Sequence, residues 1–206
     1  MIRFFYVSLL SLVFLFNLNA QKHSHSHEHK HDGLHHWEIP SKDPDRIILT
    51  FNGDPSTTRA VTWRTDSSIK KAEAQIAIAG VNSGFSNKAI SYNALTEEFD
   101  LGIYKSNKSL IVNYHSVIFE NLKPNTLYAY RVGSDENWSE WIQFKTADNY
   151  YSPTQFVYFG DAQNDILNHW SRVIRMAYQT APNASFVIHA GDLVDTAHKD
   201  LSLIHI

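Results

Sequence analysis

The chain has 206 residues, of which 43% are hydrophobic and 19% are charged, and it contains no cysteine. This composition excludes a disulfide-stapled scaffold, a thiolate metal site and a cysteine nucleophile. The formal net charge of −3 provides no basic surface for nucleic acid, and the length allows one or two domains.

The first twenty residues have the pattern of a secretory signal peptide. One cation, Arg3, precedes an apolar run over residues 4–16, and the small residue Ala20 offers a cleavage site. The run is short for a membrane span, which needs about 20 apolar residues. We therefore predict that residues 1–20 are removed after export to a periplasm or to the medium, which leaves no membrane span. An uncleaved membrane anchor is the alternative.

Residues 21–42 form a histidine-rich linker. Seven of the twelve histidines fall in this segment, and most of them alternate with Ser, Glu or Lys. Neutral imidazole is a ready ligand for zinc, copper or nickel. The linker is therefore either a polar, solvated connection with incidental affinity for transition metals or a segment that captures metal for a site downstream. A periplasmic metal-binding protein that acts through this tail alone is a further hypothesis.

Residues 43–147 are rich in short β-type runs separated by turn signals. Most of these runs end at clusters of Gly, Asn, Asp, Ser or Pro, and they cover residues 46–51, 60–64, 74–79, 114–119, 128–132 and 141–146. Such spacing predicts an antiparallel β-sandwich. Pro124 and Asn125 turn the chain, so that the hydroxyl of Tyr128 can return to the backbone near the turn as a tyrosine corner.

Five motifs in this half of the chain carry a family resemblance. They are Asn52-Gly53-Asp54-Pro55, Val61-Thr62-Trp63, Tyr114-His115, Leu122-Lys123-Pro124-Asn125-Thr126 and Tyr128-Ala129-Tyr130-Arg131-Val132-Gly133. Together they resemble the fibronectin type III-like N-terminal domain of purple acid phosphatases. The resemblance implies a sandwich that supports a catalytic domain and carries no chemistry of its own. Trp138 and Trp141, in a motif-like Trp-Ser-Glu-Trp run, are expected to pack at a strand edge rather than to bind a ligand.

The last part of the chain changes to the pattern of a βαβ unit. Two apolar strand-like runs, residues 155–159 and 185–190, enclose a helical segment. Asn164 or Asp165 is placed to cap that helix, and Pro182-Asn183 ends it. The helical apolar residues recur on one face, at Ile166, Trp170, Val173, Ile174 and Ala177. Strand, helix and strand in this order predict two parallel strands.

Each of the two predicted parallel strands is followed by a glycine and an aspartate, Gly160-Asp161 and Gly191-Asp192. Glycine allows the sharp turn after each strand. The carboxyl ends of parallel strands meet at one edge of a sheet, where open α/β folds bind ligands, so we expect Asp161 and Asp192 to lie close together. Two close carboxylates repel each other unless cations neutralise them, and the pair therefore predicts a metal site.

The same residues carry a second resemblance. Gly160-Asp161 and Gly191-Asp192-Leu193-Val194-Asp195 are similar to the first two motifs of calcineurin-like metallophosphoesterases. The resemblance implies that Asp161 binds the first metal and that Asp192 bridges two, the pair being iron with zinc, manganese or a second iron. It makes the chain multi-domain and places residues 153–200 at the start of a truncated α/β metallophosphoesterase domain, of which only the first βαβ unit is present.

The chain departs from the family pattern at two positions within these motifs. Purple acid phosphatases have a metal-binding tyrosine three residues after the bridging aspartate, where this chain has Asp195. We therefore expect no purple colour, and the centre could hold a different pair of metals. Asp195 is expected to support a ligand or to cap a helix rather than to touch a metal. Gln163 stands where related phosphoesterases often have histidine, and an amide oxygen is a poor ligand for iron or zinc.

The later motifs of the family, an Asn-His pair, a further histidine and a Gly-His-x-His, are missing from the sequence. His169 is expected on an exposed helix surface, His189 packed in its strand and His198 in a solvent-facing loop, so none of them replaces these motifs. Residues 201–206 resemble the translation of a transposon-end adapter used for sequencing libraries. We therefore predict that native sequence ends near residue 200 and that this fragment is inactive, with no catalytic residue of its own; a genuine short strand is the alternative.

Together the motifs predict an exported metal-dependent phosphoesterase that hydrolyses small phosphate monoesters at a dinuclear metal centre. A phosphodiesterase or nucleotide-directed enzyme on the same scaffold is the first alternative. The second alternative is a secreted β-sandwich that binds a surface or a partner without catalysis.

Overall fold

The computed structural model describes residues 39–104, 108–162 and 165–191, which belong to one compact unit of the chain. The strands in these ranges are β1 (Asp45–Thr50), β2 (Arg59–Asp66), β3 (Glu73–Ile78), β4 (Ile90–Asn93), β5 (Leu95–Tyr104), β6 (Lys108–Phe119), β7 (Leu127–Ser134), β8 (Asn137–Trp138), β9 (Ile142–Lys145), β10 (Phe156–Phe159) and β11 (Phe186–His189). A short 3₁₀ helix covers Ser83–Lys88, and a π-helical turn, Ile166–Trp170, continues into α1 (Ser171–Thr180). Within the described ranges, no helix has the length and apolar character needed to cross a membrane.

Two antiparallel sheets build the first half of the structure. One has the strand order β1-β2-β6-β5, and the other has the order β4-β3-β7, with β8 and β9 both pairing with β7. Strand β2 pairs with β6 along its whole length, from Arg59 opposite Phe119 to Asp66 opposite Val112. The chain crosses from one sheet to the other between β2 and β3, as in immunoglobulin-like sandwiches. The predicted antiparallel β-sandwich is confirmed.

The hydrophobic core lies between these two sheets. The first sheet contributes Val61, Trp63, Val117 and Phe119, and the second contributes Ala74, Ile76, Tyr128, Tyr130 and Val132. These residues alternate along their strands because successive side chains of a strand point to opposite faces. The period-two pattern in the sequence therefore specified which face of each central strand is buried.

Six predicted runs correspond to β1, β2, β3, β6, β7 and β9, whereas β4, β5 and β8 were missed. Strand β5 lies at the edge of its sheet and carries Glu97, Glu98 and Asp100. Its register also shifts between Asp100 and Ile103, where Gly102 has a φ of +76°. Charged residues and bulges are common on edge strands, so β5 lacks the apolar alternation that a sequence pattern detects.

Tyr128 forms the predicted tyrosine corner. The backbone N–H of Lys123 donates a hydrogen bond of 2.8 Å to the Tyr128 hydroxyl. The Tyr128 ring is buried and stacks on Phe144, with ring centres 5.7 Å apart. Asn125, which lies in the turn between Lys123 and Tyr128, has a left-handed φ of +50°. The hydroxyl thus ties the turn to the strand that follows it.

Replacing Tyr128 with phenylalanine tests this tie. We expect Tyr128→Phe to lower the free energy of unfolding by about 1–2 kcal/mol, because the Lys123 N–H loses its acceptor while the ring contacts remain. Chemical denaturation followed by circular dichroism measures the change. Tyr158→Phe, which removes an exposed hydroxyl, is the matched control; equal effects of the two substitutions would contradict the prediction.

His115 is buried inside the sandwich and is 1% exposed. Its Nε2 lies 2.8 Å from the Thr65 hydroxyl and its Nδ1 lies 2.9 Å from the Thr96 hydroxyl. Its ring also packs against Trp63, with ring centres 5.3 Å apart. Burial lowers the pKa of His115 to about 4 because the charged ring would be removed from water. His115 is therefore neutral in the folded protein near pH 7.

The low pKa of His115 predicts acid sensitivity. The unfolded chain binds a proton at this histidine below its ordinary pKa of 6.5, whereas the folded chain does so only near pH 4. The free energy of unfolding should therefore fall as the pH drops from 6.5 to 4, by up to about 3 kcal/mol from this group. Urea denaturation at several pH values measures the slope. His115→Gln should flatten it and His169→Gln, an exposed control, should not; an unchanged slope in His115→Gln would contradict the prediction.

Trp138 and Trp141 pack at the edge of the second sheet. The guanidinium carbon of Arg131 lies 4.4 Å from the centre of the Trp138 ring and 4.9 Å from that of Trp141. The Arg131 Nε donates a hydrogen bond of 2.9 Å to the Gln75 side chain, and the Trp138 indole N–H donates to the Asp135 carbonyl. The expected edge packing is confirmed, and cation–π contacts stabilise it.

Candidate functional site

The predicted site lies where β10 and β11 end. The two strands are parallel, with Phe156 opposite Phe186 and Phe159 opposite His189. The N–H of Ala190 donates a hydrogen bond of 2.8 Å to the Phe159 carbonyl, which continues the pairing past the strands. The predicted parallel pair is confirmed, and the turns that follow both strands start at the same edge of this sheet.

The backbone turns sharply after both strands, but not at equivalent residues. Gly191 has a φ of +105°, as expected for a glycine turn, whereas in the first motif the left-handed residue is Asp161, with a φ of +42°. Aspartate tolerates this conformation better than most residues because its short polar side chain can bond locally. Asp161 is exposed, while the next residue, Ala162, is 3% exposed. The carboxylate of Asp161 is therefore accessible at the strand end.

The partner of Asp161 in the predicted metal pair is outside the described residues. Asp192 follows Gly191 directly in the sequence, and Gln163, Asp195 and His198 lie outside the described residues as well. So do the predicted signal peptide, most of the histidine-rich linker and the adapter-like end. In the ranges that the structure does describe, no group of three or more His, Asp or Glu side chains could hold a metal.

Two histidines near the site have the positions expected for them. His169 is exposed in the π-helical turn. The ring of His189 packs against Phe159 and Trp170, with ring centres 6.4 Å and 5.7 Å away. Its two ring nitrogens are shielded from solvent and have no hydrogen-bond partner within the described part of the chain. His189 is thus a packed residue rather than an open ligand.

The helix between the strands differs from its prediction at its start. Asp165 occupies the N-cap position, but its φ is +49° and its side chain makes no capping hydrogen bond. The predicted cap at Asp165 is wrong because an N-cap side chain reaches back to the helix from an extended backbone, not from a left-handed one. Asn164, the other predicted cap, lies outside the described residues.

The predicted apolar helix face is only partly buried in the described structure. Trp170 packs edge-on against Phe159 at 4.8 Å, whereas Ile166, Val173 and Ile174 are each about half exposed. A cavity of about 740 Å³ separates β10 from α1, and its walls are mainly apolar. Neither Asp161 nor Gly191 lines this cavity, so it is separate from the candidate site at the strand ends.

Comparison with known families identifies the sandwich. The family model "Purple acid Phosphatase, N-terminal domain" matches residues 44–146, which is half of the chain. The chain belongs to this family. The match begins just before β1 and ends just after β9, so it covers both antiparallel sheets and stops before the parallel pair.

Two curated relatives of this purple acid phosphatase N-terminal domain protein carry the name of an acid phosphatase. The mouse protein "Acid phosphatase type 7" is 28% identical over 165 residues, which is 79% of this chain and 35% of that protein. The human protein of the same name is 28% identical over 163 residues, or 78% of this chain and 34% of that protein. The chain therefore spans about a third of the length of these relatives. A continuous match of this length within 206 residues extends past the sandwich and includes Asp161.

Solved structures show a weaker likeness. The structure of PhoD shares 16% identity, over 70% of this chain and 27% of that chain, with a TM-score of 0.45. The chicken CNTN1 FN1–FN3 domains share 21% identity, over 53% of this chain and 33% of that chain, with a TM-score of 0.35. Neither likeness is close enough to define a fold or a function.

Proposed function

We propose that the whole protein is an exported, metal-dependent phosphoesterase that hydrolyses phosphate monoesters. The observation that carries this proposal is the order of the structural units along the chain. A purple acid phosphatase N-terminal domain is followed by two parallel strands, which lead directly into Gly160-Asp161 and Gly191-Asp192. The likeness to two acid phosphatases continues past the sandwich and supports the same assignment.

We propose Asp161 and Asp192 as ligands of a two-metal centre, with iron beside zinc, manganese or a second iron. The accessible carboxylate of Asp161 at the strand end fits this role, since carboxylate oxygens are common metal ligands. The second motif fits it as well, since Gly191 follows Ala190, whose N–H pairs with the Phe159 carbonyl at the same edge of the sheet. When bound, such cations neutralise the phosphoryl oxygens and lower the pKa of water, which is the chemistry that phosphate ester hydrolysis requires.

The activity proposed is that of the whole protein, since the chain spans about a third of its relatives' length. We place the remaining metal ligands, and the group that protonates the leaving alcohol, in sequence beyond this chain. The 206 residues alone are expected to hydrolyse no phosphate ester. The substrate is proposed to be a small phosphorylated molecule rather than a nucleic acid.

Export is proposed from the N-terminal sequence. Residues 1–20 would act as a signal peptide that is cleaved after Ala20, so that the mature protein is secreted or periplasmic. Residues 21–42 would then bind transition metals in that compartment. N-terminal sequencing of the protein from a periplasmic or culture fraction should give Gln21 as the first residue; an intact Met1 on exported protein would contradict cleavage.

Removal of metal tests the proposed activity. The whole protein should hydrolyse p-nitrophenyl phosphate, should lose this activity after dialysis against a chelator, and should regain it with iron, zinc or manganese. A variant without residues 21–42 should behave in the same way, which separates the proposed centre from metal bound by the histidine-rich linker. Activity that survives complete metal removal would contradict the proposal. Faster hydrolysis of bis-p-nitrophenyl phosphate would favour a phosphodiesterase instead.

A further inference from the structure

An aromatic contact connects the sandwich to the parallel sheet. Phe51 follows β1 directly, and its ring centre lies 5.5 Å from that of Phe186 in β11, with an angle of 81° between the rings. Phe186 stacks in turn on Phe156 of β10, with ring centres 5.2 Å apart and planes 3° from parallel. Edge-to-face and offset stacked arrangements are the favourable geometries of aromatic pairs. Both strands of the parallel sheet are therefore linked to one side chain of the sandwich.

Arg59, the first residue of β2, holds Phe51 from the other side. Its guanidinium carbon lies 4.6 Å from the centre of the Phe51 ring and 5.5 Å from that of Phe144 in β9. Arg59 is 5% exposed, and within the described residues it has no carboxylate partner. Its charge is instead compensated by the aromatic faces and by three backbone carbonyls, those of Pro55 at 2.6 Å, Thr58 at 2.8 Å and Lys145 at 3.3 Å.

The three carbonyls that hold Arg59 all belong to the sandwich, two in the loop before β2 and one at the end of β9. Pro55 is in the loop after Phe51, and its carbonyl also accepts a hydrogen bond of 3.0 Å from the N–H of Ala147. Lys145 ends β9, just before the chain leaves the sandwich. A planar guanidinium bound at several points cannot rotate without losing these bonds, and in this position it lies over the Phe51 ring.

We infer that Arg59 and Phe51 form a joint that sets the orientation of the β10–β11 sheet relative to the sandwich. Arg59 is a positioning residue, which acts on the sheet through Phe51 and Phe186. The joint matters to the candidate site because β10 and β11 lead into Asp161 and Gly191. It goes beyond the proposed function, since it concerns packing within this chain and does not depend on metal binding.

Hydrogen exchange of the 206-residue chain tests the joint. Phe51 is 43% exposed, so Phe51→Ala removes the contact with Phe186 without opening the core. The amides of β10 and β11 should then exchange about two- to tenfold faster, which corresponds to the free energy that one aromatic pair contributes. Phe85→Ala is the matched control, because it removes a similar edge-on pair with Trp141, at 5.1 Å, inside the sandwich. It should leave exchange in β10 and β11 unchanged.

Conservative variants separate this joint from a general loss of stability. Phe51→Tyr keeps the ring and should restore protection of β10 and β11. Arg59→Lys keeps the charge but loses the planar donor, and it should raise exchange in these strands in the same direction as Phe51→Ala. Three results would each overturn the joint: equal exchange in Phe51→Ala and the wild type, an equal rise in Phe85→Ala, or strands β10 and β11 already unprotected in the wild type.

Discussion

Asp161→Asn should lower kcat/KM of the whole protein for p-nitrophenyl phosphate by about 100-fold or more, since it removes a proposed direct metal ligand. Asparagine keeps the size of the side chain and, like aspartate, tolerates the left-handed backbone that Asp161 adopts. The substitution therefore removes a negative charge without a new backbone strain. A neutral amide oxygen is a weaker ligand for iron or zinc than a carboxylate. The metal content of the purified variant should fall together with its activity.

Asp135→Asn is the matched control for this substitution. Asp135 is also an exposed aspartate with a left-handed backbone, at a φ of +45°, but it lies in the turn between β7 and β8 of the sandwich. It should keep wild-type activity and metal content. If Asp161→Asn kept wild-type activity and metal content, Asp161 would not be a ligand of the proposed centre. Another residue would then have to bind the metals together with Asp192.

Trp63→Ala should lower the free energy of unfolding by about 3–5 kcal/mol. Trp63 is 0% exposed and lies in β2, which is paired on both sides by β1 and β6. Its side chain packs among residues of both sheets and against the His115 ring. Truncation leaves a cavity that the paired strands cannot close. Because single domains are stable by about 5–15 kcal/mol in total, the variant should unfold at a much lower denaturant concentration, as measured by circular dichroism.

Trp63→Phe separates the volume of this side chain from its indole N–H. The indole nitrogen of Trp63 is buried and has no hydrogen-bond partner within the described residues. Phenylalanine removes that unpaired donor and keeps most of the apolar volume, so we expect a loss of less than half of that seen for alanine. Equal losses in the two variants would show that the ring volume does not control stability at this position.

The sequence pattern was sufficient wherever the physical cause of a structure is local. Alternating apolar residues in β2, β6 and β7 predicted the sandwich and its buried face, because the period of side chains along a strand is two. The turn residues Pro124 and Asn125 predicted the hydrogen bond of Tyr128, because a turn brings residues that are close in sequence back into contact. The order of strand, helix and strand predicted the parallel pairing of β10 and β11, since a helical crossover returns the chain in the same direction.

Other features depend on residues that are distant in the sequence, and only the tertiary structure decided them. Edge strand β5 forms because β6 lies beside it, not because of its own apolar pattern. Asp165 has a left-handed backbone rather than the extended one of a capping residue, which no side-chain pattern shows. In the sequence Arg59 is a polar residue at the start of a strand, with no sign of burial. In the folded chain it is buried, and its guanidinium lies over the rings of Phe51 and Phe144. The candidate ligand Asp161 is thus predicted from its motif, whereas the packing that orients its strand arises from contacts that only the folded chain creates.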